Sequence, residues 1–160
     1  MSIILKNSLK SRNTVILKNE NYFLFYSFLG KLIKKGNRSI QYKLLNQLFL
    51  RLKKDYPNED PKNVLLKTLQ LLKPLVNLRL KKVAGINYQL PCPINEERSA
   101  KIAVTWFFQS VNERNEKYLV DRIYMEINDL LKGKSGSKQR KDSFEKIALD
   151  NRPFIFFLKR

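Results

Sequence analysis

Histidine is absent from this 160-residue chain, and Cys92 is its only cysteine. These absences exclude an internal disulfide, a zinc site of cysteine and histidine ligands, and catalysis by a Ser-His or Cys-His pair. The few acidic residues show no convergent carboxyl pair of the kind that general acid–base catalysis needs. The segment Gly133–Gly136 is too short for a phosphate-binding loop. We therefore expect a protein that is not an enzyme and holds no metal, cofactor or small-molecule substrate.

Long apolar runs are also missing. The best candidate, Tyr22–Leu29, is far shorter than the roughly 20 residues that span a bilayer, and Lys31 follows it closely. We expect a soluble protein with no membrane partner. A hydrophobic content of 43% at this length predicts a single domain that buries its own core.

Positive charge is what the chain has in excess. Lys and Arg number 32 against 14 for Asp and Glu, which gives a net charge of +18. Self-repulsion of this size usually indicates a polyanionic partner, for which nucleic acid is the first candidate and an anionic membrane surface the second. The basic clusters are Lys34-Lys35 with Arg38, Arg79/Lys81/Lys82, Arg98 with Lys101, and Lys138/Arg140/Lys141. Charge alone leaves DNA and RNA both open.

Apolar residues at helical spacing predict a mainly α fold of five to six helices. The predicted helices are Asn21–Lys35, Arg38–Lys54, Pro61 to about Leu72, a fourth that starts after Asn95, Glu116–Lys132, and Asp142–Asp150. Residues 1–20 are expected to form a basic arm that follows phosphates, in preference to a remnant of a targeting sequence. Residues 21–160 are expected to form the helical domain. Its core is expected to include Ile40 on the second helix, Leu65 and Leu69 on the third, Phe107 on the fourth and Ile127 on the fifth.

Three further expectations concern the second half of the chain. Trp106 is expected to fill the core rather than stack on a base. The stretch Gly133–Lys141 is expected to be a flexible basic loop, with Asp142 or Ser143 capping the last helix. The apolar segment Asn151–Phe157 is expected to dock on the helices.

One segment alternates with period two, which is typical of a strand pair rather than a helix. Leu78, Leu80 and Leu90 have even numbers, whereas basic and amide residues fall largely on odd ones. A hairpin over about residues 77–91, turning near Gly85, would have one apolar and one basic face. A strict two-residue loop would pair Leu80 with Gln89. We instead predict a loop with one more residue or a bulge, which pairs Leu80 with Leu90 and keeps the apolar residues together.

This hairpin carries a resemblance to a known family. The sequence from Arg79 to Pro91, RLKKVAGINYQLP, resembles the hairpin of the small-subunit ribosomal protein seven family, which has a basic pair, Val-Gly-Gly and a Tyr-Gln-Val-Pro segment. Glu97-Arg98 with Trp106 resembles the family's Arg-rich helix, and Gly36-Asn37-Arg38 its Gly-Lys-Lys/Arg signature. The similarity runs in order from about residue 20 to residue 158. Ala84 replaces a family glycine, Asn37 a lysine, and Phe144-Glu145 a His-Arg pair.

The resemblance implies a structural protein of the small ribosomal subunit. Members bind the 3′ major domain of small-subunit rRNA, nucleate assembly of the head, and line the exit-site path of mRNA and tRNA beside neighbouring head and platform proteins. The rRNA contacts it implies here, together with the basic clusters, are Lys10, Arg12, Lys34, Lys35, Asn37, Arg38, Arg79, Lys81, Lys82, Arg98, Lys101, Lys138, Arg140 and Lys141. The tip expected near tRNA and mRNA is Lys82, Val83, Ala84, Gly85, Ile86, Asn87, Tyr88 and Gln89.

Composition also bears on where such a protein works. The abundance of Lys, Asn, Ile, Leu and Phe is typical of an AT-rich organellar gene, so we expect a mitochondrial member, with a plastid or a bacterium as alternatives. The alternative function is a basic helical DNA-binding protein that uses the second and third helices as a helix-turn-helix. Against it stands the loop Asp55–Asp60, which is longer than the turn of that motif.

Overall fold

The computed structural model describes residues 21–33, 36–83 and 85–159. Within these ranges the chain forms six α-helices, one antiparallel strand pair and one 3-10 helix. In chain order they are α1 (residues 21–32), α2 (Arg38–Asp55), α3 (Pro61–Leu71), β1 (Val76–Val83), β2 (Ile86–Pro93), α4 (Glu96–Glu113), α5 (Leu119–Leu131), α6 (Gly136–Asp150) and η1 (Arg152–Lys159). The mainly α fold with one hairpin is confirmed. The expected arm and the predicted contacts Lys10, Arg12, Lys34, Lys35 and Ala84 lie outside the described residues.

The hydrophobic core lies among the first five helices. Leu24, Phe28 and Leu32 follow one another by four residues along α1 and are at most 4% exposed. Each of the helices α2 to α5 adds its own apolar stripe. Deeply buried residues along these helices or at their ends include Leu48, Leu52, Leu65, Leu69, Leu72, Ala103, Phe107, Val111, Ile123 and Ile127. These positions recur at the helical period, so the stripe expected from sequence is the surface that each helix buries.

The inward face of α2 differs from expectation by one position. Ile40, expected inside, is 53% exposed, and Gln41 is buried instead. The side-chain amide of Gln41 donates a hydrogen bond of 3.2 Å to the backbone carbonyl of Leu29, near the end of α1. That carbonyl also accepts a 3.1 Å hydrogen bond from the Ile33 backbone N–H, so the contact with Gln41 satisfies the buried amide and not an unpaired carbonyl.

The hairpin register predicted from sequence is wrong. Val83 pairs with Ile86, Leu80 with Gln89, and Arg79 with Leu90, so the loop is the two-residue one. Gly85 adopts a φ of 86°, which only glycine enters without strain. Leu80 consequently lies beside Gln89 and is 70% exposed, whereas Leu90 is fully buried. Register is tightly specified only where one face is buried. The outer half of the hairpin covers no core, so turn geometry decides the pairing.

The predicted flexible basic loop is also wrong. Helix α6 begins at Gly136, and the Ser135 hydroxyl caps it by accepting a 3.1 Å hydrogen bond from the Lys138 backbone N–H. Ser137 is completely buried at the same end. The expected caps, Asp142 and Ser143, are inside the helix. Lys138, Arg140 and Lys141 therefore project from a fixed helix rather than a loop.

The C-terminal segment docks, but on the hairpin as well as on α6. The rings of Phe154 and Phe157 lie 4.8 Å and 5.6 Å from the ring of Tyr88 on β2. The ammonium group of Lys81, on β1, donates to the backbone carbonyl of Phe157. Helix α6 packs on both strands and on η1. The hairpin base, α6 and η1 thus form a second packing unit beside the main core.

Candidate nucleic-acid interface

The outer face of α4 carries a continuous line of polar side chains, which we call the α4 polar stripe: Arg98, Lys101, Thr105, Gln109 and Asn112. Their spacings of three and four residues place them on one side of the helix. All are exposed except Thr105, which is half-buried and donates to the Lys101 carbonyl at 2.7 Å. Arg98 and Lys101 make no ion pair with any other described residue. Two cations without an ion-pair partner, followed along the helix by a hydroxyl and two amides, are suited to contact phosphates of a nucleic-acid backbone and then the edges of its bases.

Sequence reasoning found only the two basic members of this stripe. Thr105, Gln109 and Asn112 were missed because uncharged polar residues do not stand out in composition. The available signal was their phase: they continue the three- and four-residue spacing that starts at Arg98.

Shallow cavities flank the stripe on both sides. On one side the end of α1, with Lys31 and Leu32, borders a cavity of about 270 Å³ that it shares with Thr105, Gln109 and Asn112. On the other side α4 and α6 border a groove of about 540 Å³. Gln109 lines both cavities. The stripe is therefore a ridge between two depressions, with Lys31 beside one and Arg140 beside the other.

A buried polar network positions α6 against α5. The Glu126 side chain, 1% exposed, accepts from the Ser137 backbone N–H at 3.3 Å and from the Arg114 guanidinium at 2.8 Å. Arg114 also bonds Asp129 and Glu116. Burial lowers the pKa of Arg114, but the hydrogen bonds to Asp129 and Glu126 outweigh it and the net shift is upward. Glu126 thus joins a fixed cation to the start of α6, where negative charge is also favoured by the helix dipole.

The hairpin presents fewer of its predicted contacts than expected. Arg79 and Lys82 are exposed, as are the tip residues Gly85, Ile86, Asn87 and Gln89. Lys81 is a correction, because it lies on the face opposite Leu80 and bonds the Phe157 carbonyl. Tyr88 is a second correction, because its ring packs on η1, and Val83 is half-buried. Of the residues expected to meet RNA on this face, Arg79 and Gln89 are therefore exposed to solvent, whereas Lys81 contacts η1.

Some of the remaining predicted contacts also make internal bonds. Arg140 pairs with Glu113, and Lys141 donates to the Leu71 carbonyl at 2.8 Å. Lys138 is exposed on the first turn of α6.

The last two predicted contacts lie at the start of α2. The Asn37 side chain caps that helix by accepting from the Ile40 N–H, and Arg38 is exposed on its first turn. Helix α2 packs on α3 and α5, whereas α6 joins α4 and the hairpin. The structure therefore groups Arg98, Lys101, Lys138, Arg79 and Lys82 on α6 and on elements that pack against it, whereas Arg38 lies on α2.

Other kinds of site find no support in the described part of the chain. No group of three or more His, Cys, Asp or Glu side chains there could hold a metal ion. No helix there is both long and apolar enough to cross a membrane. A helical core with exposed cations on a hairpin and two helices is the construction of a nucleic-acid-binding protein.

Comparison with known proteins identifies the family. The sequence profile of "Ribosomal protein S7p/S5e" matches residues 4–152. The small ribosomal subunit protein uS7m of Reclinomonas americana is 30% identical over 156 residues, covering 95% of this chain and 96% of that protein. The uS7 proteins of Malacoplasma penetrans and Salinibacter ruber are 30% and 28% identical over 126 and 130 residues, covering 79% and 81% of this chain and 81% and 83% of those proteins.

The chain belongs to the ribosomal protein S7p/S5e family. It is a structural constituent of the small ribosomal subunit, it associates with small-subunit rRNA, and it is not an enzyme. The resemblance drawn from the hairpin is confirmed. Family membership also decides between RNA and DNA, and the helix-turn-helix alternative is set aside.

Proposed function

We propose that this chain binds the 3′ major domain of small-subunit rRNA, nucleates assembly of the head, and lines the exit-site path of mRNA and tRNA. The exposed hairpin tip reaches toward exit-site tRNA and neighbouring head and platform proteins. The observation that carries the rRNA part is the α4 polar stripe, in which Arg98 and Lys101 lack internal partners. RNA helices are recognised mainly through phosphate, 2′-hydroxyl and shape contacts, which dispersed cations and amides can make.

Arg38, Arg79, Lys82 and Lys138 extend this contact beyond α4. All four are exposed, and they sit at a helix start, on the hairpin and on the first turn of α6. At such places a phosphate oxygen approaches a side chain and exposed backbone together. Arg140, Lys141 and Lys81 reach RNA only if their internal bonds are given up, so we assign them a smaller share of the affinity.

We further propose that the protein works in the mitochondrial small subunit. The composition typical of an AT-rich organellar gene supports this, as does the similarity to a mitochondrial uS7m over nearly the whole of both chains. Bacterial uS7 proteins are equally similar by identity but over a smaller share of this chain. Fractionation of the source cells, with the native protein detected by mass spectrometry, tests the compartment directly. Recovery outside mitochondria contradicts it.

The rRNA assignment is tested by chemical probing of small-subunit rRNA with the purified full chain. We expect protection confined to the 3′ major domain that persists in excess duplex DNA. Protection abolished by an equal mass of random duplex contradicts the assignment.

The native protein should also sediment with small ribosomal subunits, and sedimentation only at the top of the gradient contradicts assembly into them.

A further inference from the structure

The groove between α4 and α6 has a lining unlike that of the other cavities. It combines two aromatic rings, Trp106 and Phe144, with the polar side chains of Gln109, Gln139, Arg140 and Ser143. Its volume of about 540 Å³ is within the range of roughly 300–1,000 Å³ that is usual for sites holding small organic groups. It also adjoins the α4 polar stripe through Gln109, so a strand of RNA held by that stripe passes its rim.

Trp106 is more available than a core residue. It is half-buried, while its neighbours Phe107 and Phe108 are at most 9% exposed. Its ring meets that of Phe144 at a centroid distance of 5.1 Å and an interplanar angle of 61°, so Phe144 holds the indole in place. No described residue accepts a hydrogen bond from the indole N–H. A fixed aromatic ring with an unused donor at a groove wall is suited to receive another ring.

The charges at the rim decide what kind of group fits. Arg140 is paired with Glu113, so the groove has little net charge and is a poor site for a phosphate. The exposed amides of Gln109 and Gln139 add both donors and acceptors. A flat, neutral ring with polar edges can bond these amides, which an aliphatic side chain cannot do.

We propose that this groove binds an unpaired nucleobase of the RNA, stacked on Trp106, with its edge bonded by the side-chain amides of Gln109 and Gln139. The inference rests on the proposed rRNA-binding function and assigns to it a base-binding site beside the phosphate contacts. The known association of the family with rRNA favours a base over an aromatic residue of a partner protein. Single-stranded RNA is bound in general by bases stacked on aromatic side chains.

Trp106 is the only tryptophan in the chain, so its fluorescence reports on the groove alone. The full chain is titrated with an unstructured RNA of about a dozen nucleotides, a length typical of single-strand sites, and with a blunt RNA duplex of equal length. Binding is followed in parallel by fluorescence anisotropy of a dye on the RNA. We expect saturable quenching of Trp106 by the single strand at the concentrations where anisotropy rises, and little quenching by the duplex.

Substitution gives the second measurement. Trp106→Leu should weaken single-strand binding roughly 5- to 100-fold, the range found when one stacking side chain is removed, and should leave duplex binding unchanged. Trp106→Phe should retain most of the affinity. Tyr118→Leu is the matched control, because Tyr118 is a 61% exposed aromatic outside the groove, and it should have no effect.

The outcomes separate the two proposals. Single-strand binding with unchanged Trp106 emission, or equal affinity of Trp106→Leu and the unsubstituted chain, overturns the groove assignment and leaves rRNA binding intact. Absence of binding to any RNA, the 3′ domain included, overturns both. If Trp106→Leu does not fold, quenching of the unsubstituted chain and the affinity of Trp106→Phe still decide the matter.

Discussion

At the residue scale, Glu126 is the charged side chain with the most structural consequence. It is almost completely buried on α5, yet the groups around it match its negative charge. The Arg114 guanidinium lies on one side and the Ser137 hydroxyl and backbone N–H on the other. A buried charge that lacked any of these partners would be costly. Glu126 therefore fixes where α6 starts, and through α6 the position of the groove and of Lys138.

Replacing Glu126 with Gln should lower the free energy of unfolding by about 1.5–3 kcal/mol, the usual contribution of a hydrogen bond to a charged group. Urea unfolding of the full chain, followed by circular dichroism, measures this. The matched control is Glu59→Gln, which breaks an exposed pair with Lys67 and should cost less than about 1 kcal/mol. Equal losses for the two variants would show that the Glu126 network does not stabilise the fold.

Lys81 shows how one basic residue can serve structure rather than RNA. Its ammonium group bonds the Phe157 carbonyl in the last turn of η1, where the helix dipole favours a cation. Lys81→Ala should therefore lower the free energy of local opening of η1 by about 1 kcal/mol and leave the free energy of unfolding of the main core unchanged. Amide hydrogen exchange across η1 measures the effect.

The adjacent variant Lys82→Ala is the control for that measurement. Lys82 is exposed on the same strand, and its removal should weaken RNA binding without changing exchange in η1. Unaltered hydrogen exchange in η1 of Lys81→Ala, combined with a loss of RNA affinity, would show that Lys81 contacts RNA and does not stabilise η1.

At the element scale, the hairpin register predicted from the sequence is wrong. Alternation predicted that Leu80 and Leu90 share a face, but an apolar residue is drawn inward only where a surface exists to cover it. Helix α6 and η1 cover the base, where Leu90 lies, and not Leu80. The favoured two-residue turn, with Gly85 at positive φ, then sets the register.

Paired cysteines test the register in a Cys92→Ser background. Leu80→Cys with Gln89→Cys places the thiols opposite each other on one face, so mild oxidation should cross-link them. Lys81→Cys with Gln89→Cys are opposite only in the shifted register, and here they point to different faces. That pair should remain reduced. Mass spectrometry after thiol alkylation distinguishes the two states, and cross-linking of only the second pair would support the register predicted from sequence.

At the scale of the whole molecule, the net charge of +18 sets how binding responds to salt. If about six cations contact phosphates, the affinity for rRNA should fall about a thousandfold between 50 and 200 mM salt. We expect about six phosphate contacts and not more, because Arg140, Lys141 and Lys81 are already engaged in bonds within the protein.

The double variant Arg98→Ala with Lys101→Ala should flatten the plot of log affinity against log salt by about 1.5 units, since each phosphate contact contributes about 0.7–0.9. Lys53→Ala with Lys54→Ala removes the same charge from the exposed last turn of α2 and should leave the slope nearly unchanged. Filter binding at several salt concentrations gives both slopes. Equal flattening in the two variants would show that net charge, and not the α4 polar stripe, controls affinity.

The sequence by itself determined the mainly α fold, the position of the hairpin and the family. Helical period, the prolines and the turn glycine are local properties, and they remain visible whatever the chain later packs against. Leu65, Leu69, Phe107 and Ile127 were identified as core residues for this reason. The net charge likewise indicated the kind of partner before any contact was known.

Only the tertiary structure decided which side chains are available. Lys81, Arg140 and Lys141 look like free cations in the sequence, but each meets a distant carbonyl or carboxylate once the helices and hairpin pack. Trp106 looks like core, yet α4 and α6 leave it at the wall of a groove. Local pattern gives no access to such outcomes, because they depend on pairs of residues that lie far apart in the chain and meet only in the fold.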